Sequence, residues 1–243
     1  MPIPSHPLPT PTLGPPSALS FTVLSQTHIN ASPGTCLQII LDVDKYPLWN
    51  RFVPSVTIDS HPSSTAAADT SQYGHGTIQK GSRFTFHVNM DAGQPGMTVE
   101  KSARGSLRAT PEEATILGEV TPGADDAVDA IFDEVMSASK SMGPESRSPP
   151  STQPRFRVCW SHRSTYTMPS FLLRSERIQE FRLVESEDRT KGLAGCDYVT
   201  WETFFGVLAP VVRMAVGEKL KRCFEVWGED LKGRAERVEA GLA

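Results

Sequence analysis

Four polar side chains in the second half of the chain fall where strand alternation could bring them together. In "LRSERIQEF" (173–181), a strand that turns Phe181 and Leu183 inward carries Arg177 and Gln179 with them. Glu176, Glu180 and Arg182 then fall on the solvent side. In "RFRVCWSH" (155–162), His162 shares the parity of Phe156, Val158 and Trp160. In "CDYVTWETFFG" (196–206), one face is Tyr198, Thr200, Glu202 and Phe204, the other Val199, Trp201, Thr203 and Phe205. Alternation alone leaves open which of the two points inward. If the first does, Glu202 and Arg177 meet on adjacent strands in an apolar setting. Such a pair could orient a carbonyl or hydroxyl, or serve acid–base chemistry if burial raises the Glu202 pKa. The same residues would equally make a structural ion pair or a solvated rim. His162 reads as a sheet-end surface residue or a general base.

Other chemistries lack their residues. There is no Gly-x-Ser-x-Gly elbow and no Walker loop. The glycines of "YGHGTIQKG" (73–81) have the wrong spacing for a dinucleotide site and suit a hairpin loop. The histidines (His6, His28, His61, His75, His87, His162) form no pair at metal-ligand spacing on a helix, so no metal or cofactor is expected. Cys36, Cys159, Cys196 and Cys223 show no CxxC spacing and read as buried free thiols of a reducing, cytoplasmic setting. The formal charge of -4 argues against nucleic-acid binding. No apolar run approaches the roughly 18 residues of a membrane span, so stable insertion is not expected. The opening "MPIPSHPLPTPTLGPPSALS" lacks a basic start and an apolar h-region, and does not read as a secretory signal.

The elements that must position these residues follow from periodicity. Residues 1–19 read as a disordered, proline-rich tail. Residues 20–240 read as one domain with an insertion at 121–154. "SFTVLSQTHINA" (20–31) is a strand. Ser32-Pro33 opens a helix through "TCLQIILDV", and Asp44 caps a second short helix over Tyr46 to Phe52. Residues 53–62 form a strand. "SRFTFHVNM" (82–90) alternates, with Phe84, Phe86, Val88 and Met90 on one face and His87 on the other. "GMTVEKSARGSLRATPEEATILGEV" (96–120) holds one or two further strands. The insertion carries a helical stripe and a Pro/Ser-rich linker. It fits a packing elaboration best, with a protein-partner surface or a second lid as its other readings. From about Ala209 to Val238 one amphipathic helix carries Val212, Val216, Leu220, Cys223, Phe224, Trp227 and Leu231 as a stripe.

This order and its local strings resemble the START-like, or SRPBCC, superfamily, including its polyketide cyclase/dehydrase and lipid-transport group. The strings are "DVDKYPLWNRFVPSV", "GSRFTFHVNM", "PRFRVCW", "LRSERIQEF" and Glu202-x-Phe204-x-Gly206, followed at once by the long helix. The resemblance implies an α+β helix-grip fold: a curved antiparallel sheet of about seven strands around the C-terminal helix. It turns Glu202 and Phe204 inward and implies a cavity between sheet and helix, without naming a reaction.

A binding module for a polyketide, lipid or sterol-like molecule is therefore the first expectation. The alternative is a cyclase or dehydratase in the same cavity, with Glu202, Arg177 and His162 as its candidate catalytic groups. A carrier needs one polar anchor; an acid–base enzyme needs a second polar group converging on the reacting atom. The expected ligand-binding residues are Trp49, Asn50, Phe52, Phe84, Phe86, Val88, Trp160, Arg177, Gln179, Phe181, Glu202, Phe204, Val212, Val216 and Leu220. Trp49, Asn50 and Phe52 belong at the mouth, near residues 91–96 and 164–172, with Arg51 in solvent.

Overall fold

The computed structural model describes residues 7–13, 17, 19–62, 76–120, 155–166, 169–185 and 193–242. The expected insertion at 121–154, with its helix and any partner surface on it, lies outside them. Seven strands form one antiparallel sheet in the order β1-β7-β6-β5-β4-β3-β2. They are β1 (Phe21–Ile29), β2 (Ser55–Ser60), β3 (Arg83–Val88), β4 (Arg108–Val120), β5 (Arg155–His162), β6 (Arg174–Glu185) and β7 (Leu193–Phe205). Between β1 and β2 stand α1 (Pro33–Leu41) and a 3-10 helix (Val43–Leu48); α2 (Val99–Ala103) precedes β4, and α3 (Ala209–Glu239) closes the chain.

Local chemistry explains most boundaries. The Ser32 hydroxyl accepts the Thr35 N–H at 3.0 Å and Pro33 stands at the first helical position, which starts α1. The 3-10 helix is preceded by Asp42 with no side-chain cap; Asp44, expected as the cap, lies in its first turn instead. Residues 99–103, inside a stretch read as strand, are helical. "VEKSA" has no period-2 alternation, and the Thr98 hydroxyl caps the Lys101 N–H. At Gly206 the chain turns from β7 into α3 with φ +107°, and a Cβ there would stand 2.6 Å from the Leu172 carbonyl oxygen.

The two faces of the sheet bury different material. The concave face packs on α1, the 3-10 helix and α3, with Tyr46, Trp49, Phe84, Phe86, Trp160, Phe181, Tyr198, Phe224, Trp227 and Leu231 at its centre. The convex face carries a smaller cluster of Leu24, Cys159, Ile178, Val199 and Trp201, with Leu8 and Ile116 against it. Residues 7–13, part of the proline-rich stretch, are docked there. The Trp201 indole donates to the Pro9 carbonyl at 3.2 Å, Thr203 Oγ1 to the Leu8 carbonyl at 2.8 Å, and the Thr12 N–H to Glu176 at 3.0 Å.

Glu176, Glu180 and Arg182 do lie on this outer face but not in solvent; all three are buried. Glu176 also accepts Thr115 Oγ1, while Arg157 Nη2 and Arg182 Nε reach Glu180, each at 2.9 Å. A buried carboxylate is tolerable only when its lone pairs are filled in this way. All four cysteines are free and buried.

Candidate functional site

Register lines the concave face with cross-strand rows. One row runs Ala114–Trp160–Arg177–Glu202–Val23 across β4, β5, β6, β7 and β1. Next to it, toward the end where α3 begins, Glu112 pairs with His162 and Ser175 with Phe204. Glu202, Phe204, Thr200 and Tyr198 thus lie on the concave side, while Val199 and Trp201 belong to the convex cluster. These two rows collect Glu112, His162, Ser175, Arg177 and Glu202 on the concave face, with Arg177 under the middle of α3.

Glu112 and His162 face one another, with His162 Nδ1 3.7 Å from a Glu112 carboxylate oxygen. Burial pushes the Glu112 carboxyl up to about 7, against the opposing pull of His162 and Arg177; the charge of Glu202 pushes the same way as burial. The facing Glu112 carboxyl raises the imidazole above its ordinary value, against its own partial burial. Burial also raises Glu202, opposed by the Ser175 hydroxyl, Arg177 and His162. The groups act on one another, so their protons are shared properties of the cluster. The sheet-end histidine is therefore not a surface residue: its side chain is 14% exposed and Glu112's 8%.

Arg177 does not pair with its cross-strand neighbour. Among the described residues no carboxylate lies within ion-pair distance of its guanidinium. Instead the group stacks over Phe224 at 4.1 Å and Trp227 at 4.4 Å, and its Nε donates to Thr200 Oγ1 at 3.1 Å. Its Nη2 has no hydrogen-bond partner. Nearby, the Tyr198 hydroxyl donates to Gln179 Oε1 at 2.6 Å, which leaves Gln179 Nε2 without a partner. Burial holds the Tyr198 phenol up at about 12, so it stays a neutral donor. Two buried donors without acceptors are a standing cost that a bound oxygen would relieve.

The aromatic residues form the floor. Phe84, Phe86 and Trp160 contact edge-to-face, Trp160 meets Trp227 at 6.5 Å, and Phe181 stacks on Tyr198 at 5.0 Å. Phe204 stacks on Phe21 at 4.7 Å, and Val88 lies in the same cluster. The segment after α1 is packed rather than loose. Trp49 lies edge-on to Tyr46 and Trp227, Phe52 meets Phe224 at 6.1 Å, and Asn50 is fully buried. Asn50 Oδ1 accepts the Val53 N–H at 2.7 Å, leaving Nδ2 without a partner. Arg51 is not in solvent: it bridges to Asp230 at 2.8 Å and Glu229 at 3.2 Å, tying the segment to α3.

α3 is buried unevenly. Cys223, Phe224, Trp227 and Leu231 are covered, whereas Val212, Val216 and Leu220 are only partly so. A cavity of about 300 Å³ opens beside this first half, lined by Met90, Gly93 and Gln94 from the loop after β3 and by residues 213–219 and Arg222 of the helix. Trp49, Asn50 and Phe52, expected at the mouth, are buried and do not line it. Glu112 and Ser175 were missed in the sequence. Among the described residues no three His, Cys, Asp or Glu side chains are grouped to hold a metal ion.

An antiparallel seven-stranded sheet wrapped on one long helix, with two short helices after the first strand, is a helix-grip fold. No protein-family model matches the chain. It is 28% identical over 223 residues to oxopyrrolidines biosynthesis cluster protein O of Penicillium oxalicum, covering 91% of this chain and 90% of that one. Similar solved structures include the Zhui aromatase/cyclase from Streptomyces sp. R1128, with TM-score 0.48 and 11% identity over 91% of this chain and 98% of that one. Another is a START superfamily protein from Mycobacterium smegmatis, with TM-score 0.42 and 13% identity over 89% of this chain and 98% of that one.

Proposed function

We propose that the chain is an acid–base enzyme of cyclase/dehydratase type, acting on a lipophilic polycarbonyl substrate held between the sheet and the first half of α3. The observation that carries this reading is the Glu112–His162 pair beside Glu202 and Arg177 on the concave face. A carrier requires one polar anchor; here two carboxyls, an imidazole and a guanidinium share one end of an aromatic-floored interior. The 28% relative, named for an oxopyrrolidines biosynthesis cluster, is consistent with small-molecule chemistry.

The roles follow from where the groups stand on the concave face. Glu202 removes a proton from carbon between two carbonyls, and the enolate oxygen is met by Arg177 Nη2. The enolate carbon bonds to a second carbonyl carbon, whose oxygen becomes an alkoxide. The Glu112–His162 pair, holding a proton near neutrality, protonates that alkoxide. The Glu112–His162 pair then takes the neighbouring C–H proton, and the proton that Glu202 gained leaves with the hydroxyl as water, which restores both groups and completes a dehydration. Phe84, Phe86, Trp160, Phe181 and Phe204 supply the apolar walls, with Val88 on the same strand as the first two. Trp49, Asn50 and Phe52 brace the wall behind them, Val216 lines the opening, and Val212 and Leu220 pack against the core beside it.

Native mass spectrometry of protein purified from its own host tests the binding half of this reading. Wild type is expected to retain a lipophilic species that Arg177→Met loses. An empty wild-type protein that also fails to take up species from a host lipid extract would contradict it.

A further inference from the structure

Eight large apolar side chains are exposed among the described residues; Leu19, Leu48, Tyr166 and Leu242 stand apart, and the other four lie on adjoining segments. Phe171 is 69% exposed, Val207 57%, Val211 56% and Met214 86%. These four lie on two segments that touch: the Leu208 N–H donates to the Leu172 carbonyl at 3.0 Å, and the Gly206 turn abuts the same loop. Val207, Val211 and Met214 are spaced by four and three, which stacks them on one side of the start of α3. A soluble surface has no use for such a patch, and a contiguous one marks a site of association.

The charge around the patch departs from that of the chain. Residues 163–174 and 206–217 contain three arginines and no carboxylate, although the whole chain has 28 acidic against 24 basic residues. Arg163 is held by Asp59 and contributes little. Arg174 and Arg213 are exposed and, among the described residues, neither has an ion-pair partner; Arg174 only lies over the Phe205 ring at 5.4 Å. Further along the helix the exposed Glu218 is outweighed by Arg213, Lys219 and Arg222 around the same opening, so apolar side chains that can enter an acyl layer sit in a locally basic surround that complements an anionic phospholipid surface. A second copy of this acidic chain would have to offer a carboxylate-rich apolar face of its own.

We propose that the α3 start and the 169–174 loop dock the protein reversibly on anionic membranes, with Val211, Met214 and Phe171 inserted at the headgroup level and Arg174 and Arg213 on lipid phosphates. The patch borders the opening beneath α3, so a docked protein presents that opening to the bilayer. This assignment does not depend on the reaction proposed above: a carrier and an enzyme would dock alike.

Vesicle co-sedimentation tests it. The full chain is expected to bind phosphatidylcholine vesicles containing phosphatidylglycerol on the order of tenfold more tightly than pure phosphatidylcholine, with binding weakened by salt. Val211→Ser/Met214→Ser, neutral changes at exposed positions, is expected to lower binding about tenfold without changing the near-ultraviolet spectrum; Arg174→Gln/Arg213→Gln is expected to abolish the preference for anionic lipid. No binding to anionic vesicles at low salt, or equal binding by the serine variant, overturns the proposal. So does a dimer in sedimentation analysis that the serine variant dissolves while vesicles recruit neither protein; that result assigns the patch to a second copy.

Discussion

Glu112 ionises only against burial, and this has a consequence for stability that ligand binding does not complicate. Its carboxyl is held at about 7 in the fold, above the roughly 4.3 of an unfolded glutamate. The folded chain therefore keeps a proton that the unfolded chain gives up. The associated stabilisation is complete below about pH 4 and is lost as pH rises through 7, and its full size is about 4 kcal/mol. His162, also raised, adds a term of the same sign that fades above its ordinary value. Glu112→Gln should flatten the fall in Tm between about pH 4 and 8 in thermal melts followed by circular dichroism. An unchanged slope would place the titrating group elsewhere.

Arg177 tests the site from the opposite direction. A buried guanidinium facing ring systems and no carboxylate is costly to the fold, so Arg177→Met should leave stability equal or higher by about 1 kcal/mol while abolishing ligand retention. A large drop in Tm would make Arg177 structural. Arg177, Gln179 and His162 were legible because β5 and β6 alternate without interruption. Glu112 was not: a register shift between Ala114 and Ile116 breaks the alternation of β4, so inward and outward sets exchange partway along it. Its partner His162 was visible, but its burial depends on a strand whose register the sequence left open.

At the scale of elements, α3 was the plainest feature, because 31 residues of one stripe exceed any other reading. What periodicity could not show is how close it lies to β1. A Cβ at Gly228 would overlap Thr27 Oγ1, so the helix touches the strand at that residue. Gly228→Ala should lower Tm by roughly 4–8 °C, corresponding to about 2 kcal/mol, and Thr27→Ala should restore part of the loss. No change in the single variant would mean that the contact is loose. α2 was misread because a five-residue helix is specified by a cap, not by a period. Arg51 was misread because its partners, Glu229 and Asp230, are 178 and 179 residues away, beyond any local signal.

At the scale of the molecule, the sheet is covered on both faces, which alternating strands do not announce. The convex cover includes residues 8–12, a stretch whose prolines read only as an extended tail. Removing residues 1–13 would open the Trp201 indole and leave Glu176 without the Thr12 N–H. Such a truncation should cost about 2 kcal/mol and shift tryptophan emission to the red. Unaltered emission would contradict the docking. On the concave side, the proposed reaction requires Glu112, His162, Glu202 and Arg177 to act as one acid–base centre rather than as a structural cluster under a carrier's pocket. This is tested by the mass of the species retained by Glu112→Gln against that retained by wild type, both purified from the native host and measured by native mass spectrometry. The variant is expected to hold a species one water heavier than the wild-type one. The same species in both proteins would contradict catalysis at this centre.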